Sequence, residues 1–441
     1  MAESAAVASL VKRVGETPRF AGYGRITRVV GLILEASGVE AALGDLCSIK
    51  VGPDSSLLAE VVGFHERGLL LMPLGDPGAL RPGCPLEPLG RRFGVEVGPG
   101  LLGRILNGIG QPIDGLGPVG PTQRVPLAAD PPSPLEREPI EQPLATGVRA
   151  IDGLLTIGRG QRVGIFAGSG VGKSTLLGMI ARHASADVNV IALLGERGRE
   201  VREFLDHSLG AEGLARSVVV VATGDEAALV RARGALVATA VAEYFRDQGK
   251  QVLLMLDSIT RVAMAWREIG LAVGEPPTTK GYPPSVFAAL PRLLERAGNG
   301  RKGGISALYT VLVEGDDFNE PVADAARSML DGHIVLSRRQ ATAGHFPAIE
   351  SLESVSRVRD QIIDDEQRKA AQACQQLLAA YRDKEDLIAV GAYQAGSDRS
   401  VDAAIRLRDD LNGFLRQRPD DRTGFADTRR RLLELAARIA P

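Results

Sequence analysis

The sequence predicts an α/β fold with an all-β domain before it and an all-helical domain after it. Six apolar, strand-like runs between residues 161 and 337 are separated mostly by helical stretches, which is typical of a parallel sheet with helices on both faces. Short β-rich runs alternate with Gly and Pro turns from Tyr23 to Leu89, and only helical patterns follow Val358. We therefore expect a small β-barrel or sandwich over 19–92, an α/β domain with a Pro-rich lead-in over 93–357, and a helical domain over 358–441.

The composition is that of an ordinary globular protein, with 44% hydrophobic residues among 441. A formal net charge of −2 gives no general attraction to nucleic acid or anionic lipid. The three cysteines, Cys47, Cys84 and Cys374, are far apart, so we expect neither a disulfide framework nor a metal site, but a reduced, cytoplasmic setting. The chain has no run of the roughly 20 apolar residues that cross a bilayer and no signal-peptide pattern, so any membrane contact should be peripheral.

The N-terminal segment 1–18 forms a separate feature. Apolar residues at positions 7, 10, 11 and 14 have helical spacing, and Pro18 ends the pattern, which predicts a short amphipathic helix. Such a helix could pack on its own domain or dock on a partner.

The stretch "GSGVGKST" is the most specific motif, because it follows a strand-like run and precedes a helical one. Glycines let backbone N–H groups converge on an anion, and the helix N-terminus adds its dipole. We expect Lys173 to hold the β- and γ-phosphates of a nucleotide and Ser174 to bind Mg²⁺. Ala167 stands where the pattern usually begins with Gly. The predicted nucleotide-binding residues here are Gly168, Ser169, Gly170, Val171, Gly172, Lys173, Ser174 and Thr175.

Two carboxylates lie at the end of an apolar run or just past one. Asp257 closes "QVLLMLD", where ligands bind in parallel sheets, and is expected to hold Mg²⁺ through water. Glu196, in "GERGRE", could polarise an attacking water. Arg197 and Glu200 would complete the charge network, with Glu200 a further candidate near Mg²⁺. By itself, "GERGRE" also fits a solvated charged loop.

Longer segments give the sequence a family resemblance. "GIFAGSGVGKSTL", "GERGREVREF", "LDSITRVAMAWREI", "GEPPTTKGYPPSVFAALPRLLERAG" and "EGDDFNEPVADAARSMLDGHIVLSRR" resemble the type III protein-export ATPases, relatives of the rotary ATP synthase catalytic subunit. The resemblance extends over nearly the whole chain. "EGDD" and "PVADAARS" resemble the flagellar export ATPases more than the virulence-type, injectisome ones.

The resemblance implies a RecA-like P-loop ATPase core with an N-terminal β-barrel domain and a C-terminal helical domain. It implies a homohexameric ring that hydrolyses ATP with Mg²⁺ at sites between subunits. The ring would work in the cytoplasm, at the inner face of the membrane. Implied partners are regulator or stator proteins, a stalk-like protein, the export gate and chaperone–substrate complexes, and not nucleic acid.

The resemblance also assigns roles to residues. Glu196 aligns with the catalytic glutamate, and Lys173, Ser174 and Asp257 align with the phosphate and Mg²⁺ groups. Arg261 aligns with an arginine near the γ-phosphate. Arg357, in "SVSRV", aligns with the arginine finger that is given to the neighbouring subunit's site.

Four further positions concern the adenine pocket, the arginine finger and a family signature. Phe346, in "GHFPAI", matches the aromatic residue that packs on adenine, and Tyr393 is a candidate for the second wall of that pocket. Arg359 is an equally charged rival of Arg357. Glu350 replaces the aspartate usual in the "PAID" signature.

Two other classes of protein remain as alternatives. A non-catalytic nucleotide-binding ring subunit would resemble this pattern with Gln at the position of Glu196. A ring-shaped RNA translocase would need a basic patch with interleaved aromatic residues, which neither the net charge nor the sequence pattern supports.

Overall fold

A computed structural model describes residues 22–66, 68–313 and 317–439. The segment 1–18, with its predicted amphipathic helix, lies outside the described residues. The chain divides into two compact units. One comprises the residues up to Phe93 together with 272–275, and the other comprises 94–271 and the chain from Pro276 onward.

The first unit is a closed six-stranded barrel in the order β1-β2-β5-β4-β3-β6, with every neighbouring pair antiparallel. Its interior holds aliphatic residues that alternate with exposed ones, as a one-sided strand requires; Ile26, Ile49 and Leu71 are almost completely buried. The strands are β1 Gly24–Val30, β2 Ile33–Ser37, β3 Asp45–Lys50, β4 Ser56–His65, β5 Gly68–Pro73 and β6 Pro85–Arg92.

The second unit is built on a nine-stranded sheet in the order β17-β16-β10-β15-β13-β11-β12-β8, with β14 paired to β15. All six predicted runs are parallel strands of this sheet, and β11 and β12 are buried along their whole length because helices cover both faces. β7 and β9 pair separately. The strands are β7 Gly94–Val97, β8 Ile105–Asn107, β9 Gln123–Pro126, β10 Arg162–Ala167, β11 Val188–Leu194, β12 Ser217–Ala222, β13 Gln251–Asp257, β14 Gly298–Asn299, β15 Gly304–Leu312, β16 Gly332–Leu336 and β17 Val355–Ser356.

Helices connect these strands and complete the C-terminal end of the chain. A π-helical turn, Phe204–Leu209, interrupts one connection. The helices are α1 Arg149–Leu154, α2 Lys173–His183, α3 Gly198–Glu203, α4 Gly210–Ala215, α5 Ala228–Asp247, α6 Ile259–Ala272, α7 Pro284–Leu294, α8 Pro321–Met329, α9 Arg338–Thr342, α10 Arg359–Ile362, α11 Asp365–Ala389, α12 Arg399–Leu415 and α13 Phe425–Ala437.

The three C-terminal helices pack together and against α1, within the same unit as the nine-stranded sheet. Capping side chains precede two of them: Asp364 accepts from Gln367 N before α11, and Asp398 accepts from Ser400 N before α12. Leu377, Leu411 and Leu432 bury one face of each helix. Among the residues that the structure describes, no helix is both long and apolar enough to cross a bilayer.

Candidate active site

The predicted phosphate loop connects β10 to α2, at the carboxyl edge of the parallel sheet. Gly170 and Gly172 have φ angles of 76° and 88°, a left-handed backbone that side chains disfavour. Lys173 is the first residue of α2. The loop therefore presents its N–H groups and the helix N-terminus together, as anion binding requires.

The strand register brings the two predicted carboxylates to the same edge. In β11 and β13, Leu193 lies opposite Asp257, so Glu196 leaves the sheet next to the end of β13. In β10 and β15, Ala167 lies opposite Leu312, so the phosphate loop begins at that level too. Because the strands are parallel, residues far apart in the sequence converge here.

Lys173 makes the central contacts of the site. Its Nζ lies 3.0 Å from Glu196 Oε1 and 2.5 Å from Asp257 Oδ1. Burial by itself lowers the pKa of Lys173, but the charges of Asp257 and Glu196 outweigh burial and raise this pKa. The lysine is therefore a fixed positive charge.

Thr310, which the sequence analysis missed, completes this cluster. Its hydroxyl donates to Asp257 Oδ1 at 2.6 Å from the neighbouring strand β15. Asp257 is 3% exposed, so its carboxylate needs both the hydroxyl and the ammonium group as partners. A threonine within an apolar strand gives no sequence signal of this role.

A cavity of about 610 Å³ lies in front of the cluster. The phosphate loop forms one wall, except for Val171, whose side chain is buried, while Glu196, Arg261 and Arg338 lie on other sides. Arg261 packs on Gly195, where an added Cβ would come within 2.9 Å of Arg261 Cβ. Gly195 also has a φ of 75°, so this turn admits only glycine without strain. The cavity is large enough for a ligand of nucleotide size.

Ser174 and Glu200 face this cavity, and both are exposed. Glu200 lies 4.0 Å from Arg197, whose side chain is 87% exposed. An ion pair this long and this solvated contributes little to stability. The predicted charge network of Arg197 and Glu200 is therefore loose, unlike the cluster at Lys173.

Phe346 lies beside the phosphate loop although it follows Gly172 by more than 170 positions. The ring comes within 3.5 Å of the position of a Cβ on Gly172, and the residue is 45% exposed. Exposure of an aromatic side chain costs free energy in the unliganded protein and leaves a face for a planar ligand. Tyr393 lies instead in the connection of α11 to α12, where its hydroxyl oxygen is 3.0 Å from both Asp398 O and Asp402 Oδ1 and its one proton is shared between these two acceptors.

Arg357 lies near the amino ends of the parallel strands, whereas the phosphate loop lies at their carboxyl ends. It follows Ser356, which pairs with Gly332 at the start of β16, whereas Ala167 pairs with Leu336 at the end of β16. This separation along the strand is about 13 Å, at about 3.3 Å for each residue. Within the described part of the chain, the exposed guanidinium of Arg357 donates one hydrogen bond, from Nη2 to Arg327 O at 3.3 Å. The structure therefore does not bring Arg357 to the phosphate loop of its own chain.

Arg359, the rival of Arg357, has its guanidinium engaged within the chain. It donates to Leu154 O at 3.1 Å and to Gln375 Oε1 at 3.0 Å. Its side chain is 19% exposed. These contacts make Arg359 a structural residue that joins α1 to α11.

The contacts of Glu350 account for the departure from the "PAID" signature. Its carboxylate is buried, accepts from Gln340 Nε2 at 3.2 Å and from Leu352 N at 3.4 Å, and lies 3.9 Å from Arg382. Glutamate is one methylene longer than aspartate, and this length brings its charge toward α11.

Three domain models, two of them from one family, match consecutive parts of the chain. Residues 26–90 match the beta-barrel domain of the ATP synthase alpha/beta family, and residues 147–356 match the nucleotide-binding domain of that family. Residues 363–434 match the T3SS EscN ATPase C-terminal domain. These matches correspond to the barrel, the nine-stranded sheet and the C-terminal helices.

Whole proteins are similar over almost the entire chain. The flagellum-specific ATP synthase of Bacillus subtilis is 53% identical, over 94% of this chain and 95% of the relative. The type 3 secretion system ATPase of Xanthomonas euvesicatoria is 52% identical, over 92% of both. The solved structure of the assembled ATPase EscN from the enteropathogenic E. coli type III secretion system has a TM-score of 0.89 at 48% identity, covering 94% of this chain and 100% of that chain. The chain therefore belongs to the ATP synthase alpha/beta family, among its flagellum-specific ATP synthases and type 3 secretion system ATPases.

Proposed function

We propose that this chain is the ATP-hydrolysing ring ATPase of a flagellar type III protein export apparatus. It would act at the inner face of the cytoplasmic membrane, assisting chaperone release and the entry of unfolded flagellar subunits into an export gate. The observation that carries this proposal is the contact of Lys173 with both Glu196 and Asp257 beside the phosphate loop. Fold and homology support an ATPase, and this cluster supplies the groups that hydrolysis needs.

Each group in the cluster has a distinct task. Lys173 and the N–H groups of the loop hold the terminal phosphates of ATP, and the ring of Phe346 supports its base. Glu196 orients and polarises the attacking water, and Arg261 faces the transferring phosphoryl group. A glutamate rather than a glutamine at position 196 favours the catalytic subunit over the non-catalytic one.

The oxygen donors at this site fit Mg²⁺, which prefers hydroxyl, carboxylate and water ligands. Ser174 and Glu200 line the cavity, and the buried Asp257 contacts Lys173, which also lines it. Lys173 and Thr310 both contact Oδ1 of Asp257. We propose that Ser174 binds Mg²⁺ directly and that Asp257, with Glu200 farther out, holds it through water; the ion would neutralise phosphate charge.

The position of Arg357 supports a site shared between subunits. One chain has the phosphate loop at the carboxyl edge of its sheet and an exposed arginine at the other edge. A head-to-tail ring would bring each Arg357 to the loop of the next subunit. We propose a homohexamer; the solved EscN is described as assembled, and EscN has also been solved in complex with its central stalk EscO, so a stalk-like protein is a proposed partner.

The flagellar assignment depends on the segments "EGDD" and "PVADAARS", since overall identities of 53% and 52% do not separate the two branches. Expression in Salmonella typhimurium that lacks its own flagellum-specific ATP synthase tests this assignment. We expect restored export of flagellar proteins. Restored secretion only in a strain that lacks a virulence-type ATPase would favour the injectisome branch.

Hydrolysis as a function of protein concentration tests the ring ATPase itself. We expect specific ATPase activity to rise with concentration, together with the mass of the assembly. Full specific activity at concentrations where only monomers are detected would contradict the proposal.

A further inference from the structure

The segment of residues 414–423, called the 414–423 loop below, comprises the end of α12 and most of its connection to α13, and it contacts the main chain of Phe346. Gln417 N donates to Phe346 O at 2.9 Å. This hydrogen bond links the connection between two C-terminal helices to the residue that is proposed to support the base. It makes the position of Phe346 depend on what holds the 414–423 loop.

The side chain of Gln417 is fixed at both ends of its amide. It is 5% exposed. Its Oε1 accepts from Arg149 N at 2.8 Å, while its Nε2 donates to Gly147 O at 2.7 Å and Asp421 O at 2.8 Å. Both donors of the amide are therefore used, so the side chain has one well-defined orientation.

Arg149, the first residue of α1, binds the same loop through its guanidinium. Nε donates to Phe414 O at 2.8 Å, and Nη2 donates to Arg416 O. Nη1 donates to Asp421 Oδ2 at 2.6 Å and Thr423 Oγ1 at 3.1 Å. Arg149 is 4% exposed, and only a planar fork of donors can make these bonds at once.

Gly147, which accepts from the Gln417 side chain, packs against α2, the helix that follows the phosphate loop. Gly147 has a φ of 78°, and an added Cβ would lie 2.5 Å from His183 Cβ at the end of α2. Phe346, in turn, packs on Gly172 at the start of α2. Both ends of α2 thus contact one connected set of residues.

We propose that Arg149 and Gln417 are positioning residues for nucleotide binding, which hold the ring of Phe346 in the place where it meets the base. They act through the 414–423 loop and do not touch the phosphates. This inference rests on the proposed function, in which Phe346 supports the base. It makes ATP affinity depend on how the C-terminal helices are attached.

The test compares ATP with inorganic triphosphate, which has the phosphates but no base. Gln417→Met keeps the length of the side chain and removes both hydrogen-bonding ends. We expect ATP affinity to fall about 5- to 10-fold, as for one or two lost hydrogen bonds, with KM rising in step. kcat at saturating ATP and the affinity for inorganic triphosphate should stay within about twofold, because the phosphate loop is unchanged.

Phe346→Ala serves as the reference variant. Alone it should weaken ATP binding about 10-fold or more, as for a lost base stack, without affecting inorganic triphosphate. In the Phe346→Ala background, Gln417→Met should add little, because both act on the same contact. Additive effects would overturn the positioning role.

Other outcomes separate the two claims. If Phe346→Ala leaves ATP affinity unchanged, the base platform itself is wrong, and the inference falls with it. If Phe346→Ala weakens ATP but folded Gln417→Met does not, only the inference is wrong. Equal loss of ATP and inorganic triphosphate would show a general structural role for Gln417.

A milder variant covers the case in which Gln417→Met does not fold. Asp421 has a side chain that is 38% exposed, and Asp421→Asn weakens one bond of Arg149. We expect the same selective loss for ATP, about two- to threefold. Unchanged ATP affinity in this folded variant would overturn the role assigned to Arg149.

Discussion

At the scale of single residues, Lys173 lies between two carboxylates with different surroundings. Asp257 is 3% exposed and bonded to Thr310, whereas Glu196 is 15% exposed and faces the cavity. Asp257 is therefore suited to hold a fixed charge and Glu196 to meet water. Their positions distinguish two residues that look alike in sequence.

Glu196→Gln keeps the shape of the side chain and removes its basicity. We expect ATP to bind as tightly as before or more tightly, because Lys173 loses a competing carboxylate. Turnover should fall roughly 100- to 10,000-fold, the usual contribution of a positioned base. Calorimetry and steady-state kinetics measure both, with Glu212→Gln, an exposed residue of α4, as the matched control. Hydrolysis near the wild-type rate would exclude Glu196 as the base.

Lys173→Ala should remove tight ATP binding and also destabilise the fold. Asp257 would lose its positive partner in a buried position, which costs about 1–3 kcal/mol or more in the free energy of unfolding. Adding Asp257→Asn should restore part of this stability but not the binding, since the lysine is still missing. Denaturant titration gives the stabilities. Equal stability of Lys173→Ala and wild type would show that Asp257 does not need the ammonium group.

At the scale of elements, α2 fits closely against the π-helical turn Phe204–Leu209. A Cβ on Gly178 would lie 2.5 Å from Ser208 O and 2.7 Å from Ser208 Cβ. Gly178→Ala should therefore lower the free energy of unfolding by about 1–3 kcal/mol, despite the helical propensity of alanine. Gly413→Ala is the matched control, because this glycine of α12 is exposed and has open space around its Cα. That change should be neutral or stabilise by about 0.5–1 kcal/mol. If Gly178→Ala unfolded at a higher temperature than Gly413→Ala, the packing argument would be contradicted.

The secondary-structure elements differ in how far they could be predicted from the sequence. Strand runs and the glycine motif are local patterns, so the six main strands of the sheet and the loop before α2 were predictable. β8 has only three residues in a stretch rich in Gly and Pro, so it shows no such pattern. Its pairing with β12 joins residues that are more than 100 positions apart in the sequence. Thr310, Gln417 and Arg149 were missed for the same reason: each acquires its role from residues more than 50 positions away. Glu350 could be noticed as a departure but explained only by Arg382 and Gln340.

At the scale of the whole molecule, the proposed ring would give each chain a part in two different ATP sites. Lys173, Glu196 and Asp257, which are proposed to bind and activate ATP, lie where the parallel strands end, and Arg357 lies exposed where β16 begins. An arginine supplied in trans is typically worth 10³–10⁵ in the rate of phosphoryl transfer. A monomer should therefore bind ATP but hydrolyse it very slowly.

The most direct test of this shared site mixes two inactive variants, Arg357→Ala and Lys173→Ala. Each alone should assemble, as checked by mass. Arg357→Ala should hydrolyse ATP at the low rate of the monomer, and Lys173→Ala, which lacks tight ATP binding, should hydrolyse it no faster. In mixed rings, an interface with intact Lys173 on one subunit and intact Arg357 on the next regains a complete site. With equal amounts and random assembly, roughly a quarter of the interfaces are complete, so we expect activity of about that fraction of wild type. Mixed rings, verified by mass, that stay as inactive as either variant alone would contradict the shared site.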